Sequence, residues 1–75
     1  MELKEVEVWL RGVLHSFILV ADTEQYATYY SMEVYKEDPE VGCWERIVSE
    51  YLSDDIDVAL ERFNEIIVDA EEGAC

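Results

Sequence analysis

From Lys4 to Arg11 the sequence "KEVEVWLR" alternates, so that Val6, Val8 and Leu10 fall on one face and Glu5, Glu7, Trp9 and Arg11 on the other. A period of two is that of a half-buried strand, whose successive side chains point to opposite sides of a sheet. Gly12 breaks the run, and the β-rich segment "HSFILVAD", His15 to Asp22, follows within hairpin distance. The two segments predict an antiparallel hairpin. A helix competes for the same residues, because Leu3, Val6, Leu10, Val13, Phe17 and Val20 also fall at spacings of three and four. Strands are preferred for two reasons: Val, Ile, Phe and Trp dominate, and Gly12 inside a helix costs about 1 kcal/mol relative to Ala.

Beyond the hairpin the pattern reads as helical. In "DTEQ", Asp22 or Thr23 serves as an N-cap and Gln25 closes a capping box. Tyr26, Tyr29, Tyr30 and Val34 then form a stripe, although "YYSMEVYK" also alternates as a strand. Pro39 ends that element. From Glu40 to Leu52, the residues Val41, Trp44, Ile47, Val48, Tyr51 and Leu52 recur at helical spacing and predict a second helix. Ser53, Asp54 and Asp55 cap a third, whose buried edge is Ile56, Leu60, Phe63, Ile67 and Ala70. The expected fold is α+β, an N-terminal antiparallel β-hairpin packed against about three α-helices, with an all-α helical bundle as the alternative. Residues 1–75 form a single small acidic domain, with an expected stability of roughly 4 to 11 kcal/mol at about 0.05 to 0.15 kcal/mol per residue.

Charge narrows the function. Nineteen carboxylates stand against five Lys or Arg, for a formal net charge of −14, yet 51% of the residues are hydrophobic. That apolar fraction is too high for a disordered acidic tail, so the charge sits on the outside of a folded core. Such a surface repels nucleic acid and anionic membranes and attracts basic partners. The apolar run "VLHSFILVA" carries His15 and spans about half a bilayer, so neither a signal peptide nor a membrane segment is expected. Cys43 and Cys75 form no CxxC pair and read as reduced thiols. The expected compartment is the cytoplasm, or the host cytoplasm for a phage-encoded protein.

Catalysis finds no foothold. His15, the one histidine, lies near no triad partner, and neither cysteine sits in a nucleophile signature. "DDID" lacks the spacing of a calcium loop, a Glu-x-x-His pair is missing, and so is a glycine-rich phosphate loop. The reading is a non-enzyme without metal or cofactor.

The most specific feature is a ladder, Asp57, Glu61, Glu65 and Asp69, at four-residue spacing on the third predicted helix, with Arg62 the one basic residue in the segment. Like charges at this spacing cost a helix about 0.2 to 0.5 kcal/mol per pair, where Glu-to-Lys pairs would stabilise it. A row of negative charges on a rigid rod resembles in spacing a strand of phosphates, which a basic groove binds largely through charge. Trp9, on the polar side of its strand, is the best aromatic anchor, joined by Tyr29 and Tyr35 from the tyrosine-rich stretch "YATYYSMEVY".

In length, in this ladder and in its shortage of basic residues, the chain resembles the small acidic inhibitors of phages and mobile elements. These include anti-CRISPR and anti-restriction proteins and uracil-DNA glycosylase inhibitors. The likeness is one of composition, and it implies a nucleic-acid mimic that binds a basic protein such as a CRISPR effector or a DNA-processing enzyme. The alternative is an acidic interaction or regulatory module such as an immunity protein, antitoxin or small complex subunit. Direct nucleic-acid and membrane binding are not expected, and a homodimer stays open.

Overall fold

The structure, a computed structural model, describes residues 1–73. Four strands, β1 (Glu2–Leu10), β2 (Val13–Glu24), β3 (Ala27–Asp38) and β4 (Cys43–Ser53), pair in that order as an antiparallel meander, and one helix, α1 (Ile56–Gly73), follows. The molecule is a thin slab of 42 × 26 × 15 Å, a sheet with a helix laid on one face.

The N-terminal hairpin forms as the alternation predicts. Leu10 pairs with Val13 across a two-residue turn in which Arg11 and Gly12 have φ of 53° and 80°. Two consecutive positive φ values mark a type I′ turn, whose twist matches that of the strands it joins. Val6 lies opposite Phe17 and Trp9 opposite Leu14, so the apolar and polar faces of β1 continue into β2.

The other two predicted helices, and with them both the three-helix arrangement and the all-α alternative, are corrected by the sheet. The "DTEQ" segment is the end of β2 and a turn, not a cap. Asp22, Thr23 and Glu24 pair with Tyr29, Thr28 and Ala27, and Gln25 takes a φ of 57° at the turn. Strand pairing prevails over the local capping signal because β3 fills both neighbours' registers: Val34 lies opposite Phe17 on one side and Val48 on the other. In β4 the helical spacing has a different origin. The register slips between Tyr30/Ser31 and between Val34/Tyr35, leaving Leu52 and Ile47 as extra residues on β4. Trp44 and Tyr51 lie on the open face, Val48 and Leu52 on the helix-covered face, so the spacing of three and four mixes two faces of a bulged strand and marks no single stripe.

The third predicted helix is present as α1. Asp55 Oδ1 accepts the backbone N–H groups of Asp57 at 2.8 Å and Val58 at 3.4 Å, which makes Asp55 the N-cap. Its inner face is Ala59, Phe63 and Ile67, with Leu60, Ile66 and Ala70 beside them; Ile56, predicted to be inside, is exposed. These residues meet Val8, Phe17, Leu19, Met32, Val34 and Leu52 in one core. Phe63 and Leu19 are fully buried, and burying a side chain of that size stabilises by about 1.5 to 3 kcal/mol. Among the described residues, the other face of the sheet carries no helix.

Candidate functional site

Because α1 buries the side defined by Ala59, Phe63 and Ile67, residues four apart on its opposite side must all face outward. Asp57, Glu61, Glu65 and Asp69 are all exposed, and Glu61, Asn64, Glu65, Val68 and Asp69 line one shallow depression along the helix. At 1.5 Å per residue the four carboxylates span about 18 Å. None of the four carries an ion pair among the described residues, nor does Arg62 form one with any of them. Asp57 in the first turn is favoured by the helix dipole, but the last turn has no basic residue.

Trp9, Tyr29 and Tyr35 stand elsewhere. They project from the open face of the sheet, so the expected acidic ladder and the expected aromatic anchors lie on opposite sides of the molecule. Trp9 is 68% exposed, and the rings of Tyr29 and Tyr51 lie 6.4 Å apart, tilted by 43°. Register sets out this face in rows. Glu7, Ser16, Tyr35 and Arg46 run straight across the four strands, and Glu5, Ile18, Glu33 and Ser49 form the next row.

Between these rows lies a cavity of about 340 Å³ lined by Glu5, Glu7, Ser16, Ile18, Tyr35 and Trp44. Its wall is held by a local network. Tyr35 donates its phenolic O–H to Glu33 Oε2 at 3.1 Å, and Arg46 Nη1 reaches Glu33 Oε1 at 3.6 Å. The hydrogen bond to Glu33 pushes the Tyr35 phenol above its ordinary pKa of 10.0; desolvation adds to the rise and Arg46 opposes it. At the other end of β4, Tyr51 donates to Asp54 Oδ1 at 2.8 Å, and this bond likewise raises the Tyr51 phenol. Ser16 is 5% exposed, and its Oγ makes no hydrogen bond among the described residues. An unsatisfied buried hydroxyl costs about 1 to 3 kcal/mol.

Sequence reasoning placed Glu5, Glu7 and Trp9 on one face but missed Trp44 and Ser16 as their neighbours. Trp44 was assigned to a helix, and a lone serine in "HSFILVAD" gives no signal until the register sets it between Glu7 and Tyr35. Among the described residues no group of three or more His, Cys, Asp or Glu is arranged to hold a metal ion. Nor is any helix there long and apolar enough to cross a membrane. Cys43 is an exposed free thiol, and Cys75 lies outside the described residues. Comparison with protein-family models, curated proteins and solved structures finds no match to the chain.

Proposed function

We propose that this protein is a non-enzymatic inhibitor that occupies a basic, nucleic-acid-binding surface of a protein target, with the outer side of α1 as its charged face. The observation that carries the reading is the ladder Asp57, Glu61, Glu65 and Asp69, exposed together and, among the described residues, without an ion pair on a helix whose inner side is locked into the core. A rigid row of charge loses little entropy on docking, and a net charge of −14 steers it toward positive surfaces. The helix keeps like charges in register at a cost to its own stability of about 0.2 to 0.5 kcal/mol per pair, which supports a use for the charge. The class of target is a CRISPR effector or a DNA-processing enzyme.

A second reading, an acidic regulatory module such as an immunity protein, antitoxin or small complex subunit, draws on the exposed aromatics Trp9, Trp44 and Tyr51 of the opposite face. One experiment separates the two. The tagged protein is used to retain partners from its native host, and duplex DNA or RNA is then added to the complex. The mimic reading expects a nucleic-acid-binding protein that is released by competing nucleic acid. A partner that stays bound at saturating nucleic acid overturns it and selects the regulatory module.

A further inference from the structure

The cavity on the open face of the sheet joins three features that the ladder on α1 does not share. Glu5 and Glu7 border it without an ion pair among the described residues, whereas Glu33, the next carboxylate along, already holds Arg46 and Tyr35. Tyr35 and Trp44 add aromatic surface. Ser16, 95% buried, contributes an Oγ with no hydrogen-bond partner among the described residues.

We infer that this cavity is a receptor for one arginine side chain of a basic protein partner. A guanidinium is planar, stacks on aromatic rings and presents five N–H donors in a fixed fork. Stacked against Trp44 or Tyr35, it offers donors to the Glu5 and Glu7 carboxylates and, once the surrounding side chains part to admit it, to Ser16 Oγ, which is closed to solvent in the free protein. A lysine ammonium is a compact, strongly hydrated point charge that gains little from the rings. A second copy of this chain is disfavoured on this face, because each copy brings a net charge of −14. The open depression, of about 340 Å³, has room for a guanidinium and its methylene stem with space to spare. Arg46 stands at the end of the same row as Ser16 and Tyr35, and its pairing with Glu33 leaves Glu5 and Glu7 as the uncompensated charges. The inference shares with the proposed function only a basic partner, and none of the ladder residues takes part in it.

The test uses the full chain, isotope-labelled, and three capped tripeptides, Ala-Arg-Ala, Ala-Lys-Ala and Ala-citrulline-Ala, followed by nuclear magnetic resonance. The arginine peptide is expected to give saturable shifts at Ser16, Ile18, Tyr35 and the Trp44 indole. The lysine peptide binds about tenfold more weakly, and the neutral citrulline peptide gives no saturable shift. Glu5→Gln with Glu7→Gln weakens the arginine peptide by about tenfold or more, while the ladder variant Asp57→Asn, Glu61→Gln, Glu65→Gln leaves it unchanged. Ser16→Ala weakens binding yet raises the melting temperature, because it removes a buried hydroxyl without a partner. Equal binding of lysine and arginine overturns the inference. So do shifts spread evenly over the acidic surface, or a Ser16→Ala variant that binds as tightly as the parent.

Discussion

Tyr35 donates its phenolic hydrogen to Glu33, two residues earlier on the same strand, at 3.1 Å. Residues two apart on a strand share a face, so the bond needs no long-range folding to bring its partners together. Its role is to orient. With Arg46 Nη1 at 3.6 Å on the other oxygen of Glu33, the carboxylate ties the ring of Tyr35 to β4 and sets one wall of the open-face cavity.

The bond also predicts a pH dependence. Because the phenol donates to a carboxylate, its protonated form is favoured in the folded protein, and its pKa rises above the ordinary 10.0. A group raised on folding contributes stability that is fully present below its unfolded pKa of about 10 and is lost as pH rises through the folded value. Unfolding followed in denaturant at increasing pH is expected to show that alkaline loss. Glu33→Gln is expected to move the Tyr35 ring titration downward and to shrink the loss. A Tyr35 titration unmoved by Glu33→Gln assigns the shift to another cause.

A second prediction concerns the β1–β2 turn. Arg11 adopts a φ of 53° ahead of Gly12 at 80°, a conformation that side chains with a Cβ adopt at a cost and that Asn tolerates best. Arg11→Asn creates the Asn-Gly pair preferred in type I′ turns and is expected to stabilise the fold by up to about 1 kcal/mol, part of the roughly 1 to 2 kcal/mol that a left-handed conformation costs an ordinary L-residue. The arginine side chain is exposed and forms no ion pair among the described residues, so little is lost with it. A denaturant midpoint at or below that of the parent overturns the argument.

How much of this was legible in the sequence depends on which residues carried the signal. The first hairpin was readable because strict alternation and Gly12 agree. The helix α1 was readable because Asp55, Leu60, Phe63 and Ile67 agree on cap and period. In β3 and β4 they disagree. The bulges at Ile47 and Leu52 reset the alternation, and Gln25 occupies a positive φ that a glycine would have announced. The site followed the fold: the ladder needed only a helix to be recognised, whereas the Glu7, Ser16, Tyr35 row needs the register of three strands.

The cap supplies a third prediction. Asp55 Oδ1 accepts from Asp57 N at 2.8 Å, and Ser53 Oγ in turn accepts from Asp55 N at 3.0 Å, so two side chains close the corner between β4 and α1. Asp55→Ala leaves the first-turn donors to water and is expected to cost about 0.5 to 2 kcal/mol, with Asp55→Asn costing less. Urea unfolding of both variants measures the difference. Equal stability of the alanine variant and the parent would remove Asp55 from the role of cap.

The last prediction separates charge used for binding from charge that is incidental. Replacing Asp57 by Asn and Glu61 and Glu65 by Gln keeps the shape of α1 and its buried side, Ala59, Phe63 and Ile67, intact. It relieves three like-charge neighbours, Asp57 with Glu61, Glu61 with Glu65 and Glu65 with Asp69, at about 0.2 to 0.5 kcal/mol each. Against that stands the loss of Asp57 from the positive end of the helix dipole, about 0.3 to 1 kcal/mol. The two nearly cancel, so stability is expected to stay level or rise slightly. Binding should move the other way. If the ladder faces a basic groove, affinity for the retained partner falls by about 1 to 3 kcal/mol, and its dependence on salt between about 50 and 200 mM weakens. Calorimetric titration at both salt concentrations, beside a melting curve of the variant, reads the two quantities separately. A variant that melts like the parent and binds with the same affinity and salt slope excludes the outer side of α1 as the recognition face. A variant that unfolds instead assigns the acids a structural role that no hydrogen bond or ion pair of their side chains now indicates.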